Sequence, residues 1–374
     1  MLETLDRLIG FETVSVDSNL DLIDYVQHLL HGWGFRVTRL TDPDMPKAGL
    51  YAEIGPQGSG VVLSAHTDVV PVAGQAWTQP AFALTREGDR LFGRGTTDMK
   101  GFVAAMLSAA KAASQMPLRE PLKIVLSYDE ELGCTGVATM MAQLAPLMGK
   151  PRFAIVGEPT QMQVATGHKG KQGFEAQITG QAGHSALAPR FVNALNVAAD
   201  TIVALRALQD DIATYGVRDP AYDIPYSTLH VGILQGGAAL NIVPDRANMR
   251  FEFRHLAADP PVDLRRRIDT ALAEVVARHG AAARIEVTPL AAYPGLDTPL
   301  GAAVVTEVRN LAQTALTKVA FGTEAGFFDA QGIPTVVCGP GSMEGQGHKA
   351  DEYIEVSQLL QCEAMLMRLL ATMS

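Results

Sequence analysis

The sequence predicts an α/β protein in two parts: an α/β/α layered domain, interrupted by an insertion with the βαββαβ order of a ferredoxin-like fold. Three observations lead there. Short, almost wholly apolar runs alternate with helical segments in the first half, one more such run returns only after residue 330, and the stretch between has a different rhythm. A length of 374 residues agrees, being more than one ordinary core organises.

The elements follow in order. "GVVLSAHTDVV", "LKIVLSYDEE" and "PRFAIVGEP" each open as a strand covered on both faces, as in a parallel sheet. Between the first two lies "GFVAAMLSAAKAASQM", whose alanines favour helix. "IPTVVCGPG" resumes the same sheet near the end. In the middle we expect a strand near 173–180, a helix near 190–208, strands near 227–235 and 245–255, a helix near 261–279 and a strand near 283–290. One domain then comprises 1–172 and 291–374, and the insertion 173–290. A four-stranded antiparallel sheet with both helices on one face leaves edge strands and an open face that need cover, so the insertion is expected to serve as a lid and to form a homodimer.

Composition narrows the function. With 47% hydrophobic and 19% charged residues the chain reads as an ordinary globular protein. Its net charge of -10, without a Lys/Arg-rich run, disfavours nucleic acid and leaves a small molecule as the expected partner. The N-terminus lacks the basic start and apolar stretch of a secretion signal, and no apolar run approaches the ~20 residues of a membrane helix. Cys134, Cys338 and Cys362 are odd in number and widely spaced, which fits neither a disulfide framework nor a thiolate zinc site. A cytoplasmic location follows as the expectation.

Ligands of open α/β sheets bind beyond the carboxyl ends of the strands. There the apolar runs lead into His66 and Asp68, into Asp129, Glu130 and Glu131, into Glu158, and into a loop that reaches His348, while Asp98 stands in the Gly-rich turn "GRGTTDMKG". Singly, each has a bland reading as cap, solvated face or surface residue. Together, imidazoles and carboxylates at one sheet edge would repel and desolvate one another without a cation between them. The nitrogen and oxygen donors suit zinc, with cobalt or manganese as replacements. Two divalent ions also balance the charge of Asp98, Glu131, Glu158 and one hydroxide, and such a pair activates water and polarises a carbonyl together.

"SAHTDVVP", "GRGTTDMKG", "YDEELGCTG", "VGEPT", "GHSALAP" and "HKADEYI" resemble, in order, the motifs of the di-zinc deacylase and carboxypeptidase family, whose catalytic domain has the zinc-peptidase fold. "FGTEAGFF" and "VVCGPGSMEGQGHKADEYI" are most similar to its acetylornithine deacetylase branch. The resemblance implies that His66, Asp98 and Glu158 hold one metal and Asp98, Glu131 and His348 the other, with Asp98 bridging across a cis Asp98–Met99 peptide. It implies that Asp68 orients His66, that Glu130 is the general base, and that His184 reaches the partner subunit's active site to steady the oxyanion. In extended chain Glu130 would face away from Glu131, clear of the metals. Asn241 and Arg254 match positions that hold substrate, an Arg fork suiting a carboxylate. Glu324 would then meet a cationic side chain. Gly347 and Ala350 depart from the family's usual Ala and Pro around the last His.

The leading substrate is N-acetylornithine, with N-succinyl-diaminopimelate or another N-acyl amino acid next. A serine hydrolase finds little support, because Leu187 stands where the nucleophile elbow around Ser185 needs Gly. No nucleotide-binding loop occurs. A metal-binding regulator without turnover would have no use for Glu130.

Overall fold

The apolar runs of the first half assemble into one mixed sheet. A computed structural model describes residues 1–374, and the chain divides into two units, Met1–His168 with Leu296–Ser374, and Lys169–Gly295.

In the first unit the main path of the sheet runs Arg36–Thr41, Ala48–Ile54, Leu122–Ser127, Val61–His66, Phe153–Val156, Thr335–Val337, Val164–His168 and Leu296–Asp297, with Leu316–Val319 also paired to Val164–His168. The four central strands are mutually parallel, and three of them were the continuous apolar runs of the first half. The fourth, Thr335–Val337, is contributed by the chain after the second unit. The antiparallel flanks have less obvious sequence patterns, and the pair Arg36–Thr41 with Ala48–Ile54 was not anticipated.

Helix Lys100–Ala113 is buried along nearly its whole length. It packs between strand Val61–His66 and helices Leu2–Ile9 and Val356–Thr372. Ala104, Ala105, Ala109 and Ala110, all fully buried, let the neighbours approach closely. Gly157 is a second point of close approach: a Cβ there would lie 2.1 Å from the Phe102 ring, so the turn into Glu158 needs glycine. Because the central strands are parallel, their carboxyl ends deliver His66, the 128–131 turn, Glu158 and the 338–348 loop to one edge.

The second unit has the expected βαββαβ order. Its strands are Gly170–Thr179, Thr228–Gly236, Arg246–His255 and Arg284–Tyr293, its helices Ala194–Tyr215 and Pro261–His279. The sheet is antiparallel throughout, with Arg246–His255 and Gly170–Thr179 in the centre. Along Arg246–His255 the residues Ala247, Met249, Phe251 and Phe253 are buried, while Asn248, Arg250, Glu252 and Arg254 take the other face. The first helix begins later than expected, at Ala194, because Asn193 accepts the Leu195 amide at 2.8 Å and residues Ser185–Arg190 form a separate 3-10 turn. No helix is long and apolar enough to cross a membrane.

Candidate metal centre

His66 closes its strand with its ring buried. Nε2 lies 3.0 Å from Asp98 Oδ1 and 3.6 Å from Glu158 Oε1. Across Asp98, its second oxygen Oδ2 lies 3.1 Å from His348 Nε2, which is also 3.0 Å from Glu131 Oε1. One carboxylate is thus shared between two sets of donors. The Asp98–Met99 peptide is cis, as the family resemblance implied.

Asp68 contacts more than His66. The imidazole Nδ1 is 3.0 Å from the Asp68 carbonyl and 3.4 Å from its carboxylate. That carboxylate also accepts from the amides of Glu130 at 3.1 Å and Glu131 at 3.3 Å, and from Ser15 Oγ at 2.8 Å. It ties the first strand's loop to the turn that carries both glutamates. The neighbouring Asp129, at φ 52°, pairs with buried Lys47.

One expectation needs correction. Glu130 and Glu131 do not alternate along extended chain: the Glu130 carbonyl accepts from the amides of Gly133 and Cys134, so the segment is a turn. Glu130 consequently points inward, and an oxygen of its carboxylate lies within 4.8 Å of donor atoms of His66 and Glu158. Glu324 is 1% exposed, and both of its oxygens are sealed from solvent without a hydrogen-bond partner. Its carboxylate lies beside the hydroxyls of Ser64 and Ser127, inside the fold.

The charges show why this cluster needs a cation. Burial, reinforced by the Asp98 charge, pushes the Glu131 carboxyl up to about 7 and Glu158 well above the carboxylate range. Burial also lifts Glu130, with His66 opposing and Glu131 adding. At Asp98 burial is outweighed by hydrogen bonds from His348 and His66, which hold its carboxyl below the ordinary range. Those to Asp98 and Glu131 raise His348 to about 10, while at His66 the nearby carboxylates overcome burial and raise it too. Carboxyls driven to keep protons and imidazoles driven to gain them both draw positive charge into a buried, over-negative cluster. A dication, bound by neutral imidazole and ionised carboxylate, satisfies both. His66, Asp98, Glu131, Glu158 and His348 therefore fit a metal pair by donor type and placement.

Glu352, in "HKADEYI", was not singled out from the sequence. Its Oε1 accepts from the amides of Thr97 at 2.9 Å and Asp98 at 3.1 Å, and its Oε2 pairs with buried Arg94 at 2.6 Å. Glu352 and Arg94 hold the turn that aims Asp98. An acidic residue next to an Asp reads as surface until the fold buries it.

The remaining candidates lie in the second unit. His184 pairs with Ile242 across a two-residue strand contact, and the Ser185 amide donates to the Asn241 carbonyl at 3.1 Å, which brings His184 and Asn241 together. The cap of the following turn is His184, whose Nδ1 accepts the Ala186 amide at 3.1 Å. With Nδ1 an acceptor, the neutral ring carries its proton on Nε2. Arg254 donates to Glu252 at 3.0 Å and to the Tyr293 hydroxyl at 2.8 Å.

A shared carboxylate between two imidazoles, at the strand ends of an α/β sheet, places the chain among the metal-dependent hydrolases of amide and peptide bonds. Comparison with known proteins makes the assignment particular. The model of peptidase family M20/M25/M40 matches residues 62–372, and the chain belongs to that family. It is 35% identical over 379 residues to an acetylornithine deacetylase of Myxococcus xanthus, covering 98% of this chain and 96% of that protein. An acetylornithine deacetylase of Proteus mirabilis is 34% identical, with 95% and 92% covered. Among solved structures, an M20 family metallo-carboxypeptidase from Sulfolobus solfataricus superposes with a TM-score of 0.81 at 20% identity, over 99% of this chain and 98% of that one.

Proposed function

We propose that the chain removes the acyl group from an N-acyl amino acid, with N-acetylornithine as the substrate, releasing acetate and ornithine for arginine biosynthesis. The observation that carries the catalytic part is Asp98, with one oxygen 3.0 Å from His66 and the other 3.1 Å from His348. The full-length relatives named acetylornithine deacetylase support the choice of substrate.

His66, Glu158 and Asp98 would hold one ion, Asp98, Glu131 and His348 the other, zinc being the metal that suits these donors. When bound, the pair lowers the pKa of water and polarises an amide carbonyl. Glu130 takes the proton of the attacking water and returns it to the leaving amine. Asp68 keeps His66 and the Glu130 turn in register. Arg254, steadied by Glu252 and Tyr293, and Asn241 bind the substrate's α-carboxylate. His184, with its Nε2 proton, donates to the oxyanion in the active site of a partner subunit.

The second unit serves as lid and as interface of a cytoplasmic homodimer. Its edge strand Thr228–Gly236 exposes Ile233 and Leu234, and Val203 is exposed on helix Ala194–Tyr215.

A panel of N-acyl amino acids, assayed for released amine with zinc or cobalt added, tests the reading. Highest kcat/KM on N-acetylornithine supports it, highest kcat/KM on N-succinyl-diaminopimelate moves the assignment to that substrate, and no amine from any member refutes it.

A further inference from the structure

One buried group beside Glu130 has no part in the reaction as described so far. Cys134 is fully buried and stands at φ 59°, in the left-handed region, at the start of helix Thr135–Met148. Its Sγ lies 3.3 Å from Glu130 Oε1 in donor geometry, and its amide donates to the Glu130 carbonyl at 2.7 Å. The same residue therefore grips both ends of Glu130, main chain and carboxylate. Gly136 seats the helix that carries it: a Cβ there would lie 1.7 Å from the Tyr128 carbonyl, so helix and strand end are pressed together. Burial, and then the Glu130 charge, raise the thiol well above its usual range, which keeps it a donor rather than a nucleophile.

We propose that Cys134 is a positioning residue for the general base: its S–H donates to one oxygen of the Glu130 carboxylate and leaves the other to carry the proton. Without the thiol, the glutamate turns about its last side-chain bond, and the oxygen meant for the water is no longer presented in one orientation. A thiol is suited to this. It is a weak donor, so it orients the carboxylate without holding it too firmly in the ionised form, and its bulk fills apolar space. The inference rests on the reading of Glu130 as base.

The test uses the zinc-loaded, full-length protein with Cys134→Ala, Cys134→Ser and Glu130→Ala, assayed on N-acetylornithine and N-acetylmethionine. We expect Cys134→Ala to lower kcat about tenfold with KM and zinc content unchanged, and Cys134→Ser, which keeps a donor, to recover most of the loss. Adding Cys134→Ala to Glu130→Ala should lower the residual rate no further. Infrared spectroscopy gives a readout independent of turnover: the S–H stretch lost in Cys134→Ser should lie at the frequency of a hydrogen-bonded thiol and shift in Glu130→Gln. A wild-type kcat in Cys134→Ala, equal losses in the Ala and Ser variants, or a stretch indifferent to Glu130→Gln would each overturn the proposal. A Glu130→Ala protein with wild-type kcat would instead overturn the reading of Glu130 on which it rests.

Discussion

Replacing Glu352 by glutamine disturbs the support of Asp98 without touching Asp98 itself. Glu352 uses one oxygen on the Thr97 and Asp98 amides and the other on Arg94, all buried. Glutamine offers a single acceptor oxygen, so whichever way its amide turns, either the two amides or the guanidinium loses a partner. Breaking a buried ion pair by removing one charge costs about 3–5 kcal/mol. Arg94 keeps its contacts with Gln75 and the Trp77 ring, which puts the expected loss at the lower end, about 3 kcal/mol. At roughly 2–4 °C per kcal/mol for a domain of this size, Tm falls by about 6–12 °C. The shared carboxylate also loses its fixed aim, so zinc affinity drops by about 10- to 100-fold. Thermal unfolding followed by circular dichroism, with zinc measured in the same samples, reads both effects, and Glu344→Gln at the exposed surface is the control. A Tm within about 2 °C of wild type and unchanged zinc affinity would show that Glu352 does not position the site.

Further outcomes follow from the same geometry. Elemental analysis at saturating zinc should approach two ions per chain, and a ceiling of one would contradict the shared role of Asp98. Glu130→Ala should lower kcat by about 10²–10⁴ with metal content intact, whereas Glu131→Ala should lose metal; the opposite pattern would exchange their roles. Because burial raises the Glu131 carboxyl to about 7 and hydrogen bonds to Asp98 and Glu131 raise His348 to about 10, His348 is protonated and Glu131 partly protonated at neutral pH when metal is absent. Zinc loading must expel these protons, so affinity rises with pH through the neutral range, and calorimetry in buffers of different ionisation enthalpy should register proton release; affinity independent of pH would refute this. With its carboxylate sealed, Glu324→Gln should reduce kcat/KM equally for N-acetylornithine and N-acetylmethionine, and a loss confined to N-acetylornithine would show that the substrate side chain reaches it. Mixing Glu130→Ala with His184→Ala chains should restore activity in hybrid dimers; no recovery despite proven subunit exchange would place His184 within its own site or outside the reaction.

Much of this protein was legible in its residues. The continuous apolar runs read as doubly covered strands, and the polar residues closing them read as the site, because a parallel sheet has one functional edge and the chain must arrive there at the end of each central strand. The six predicted elements of the second unit appear in order, and along its central strand Arg246–His255 buried and exposed positions alternate as the pattern implied. What only the tertiary structure decided depends on contacts between distant residues. Glu130 points inward because Asp68, more than sixty residues earlier, holds the amides of its turn. Glu352 and Glu324 could be valued only once the fold had buried them, one with Arg94 and one with no hydrogen-bond partner. Local pattern determines which residues reach the sheet edge, since strand and helix periodicity are properties of neighbours in sequence. Which oxygen faces which nitrogen, and which carboxyl keeps its proton, depends on burial and charge in three dimensions, and that only the folded chain supplies.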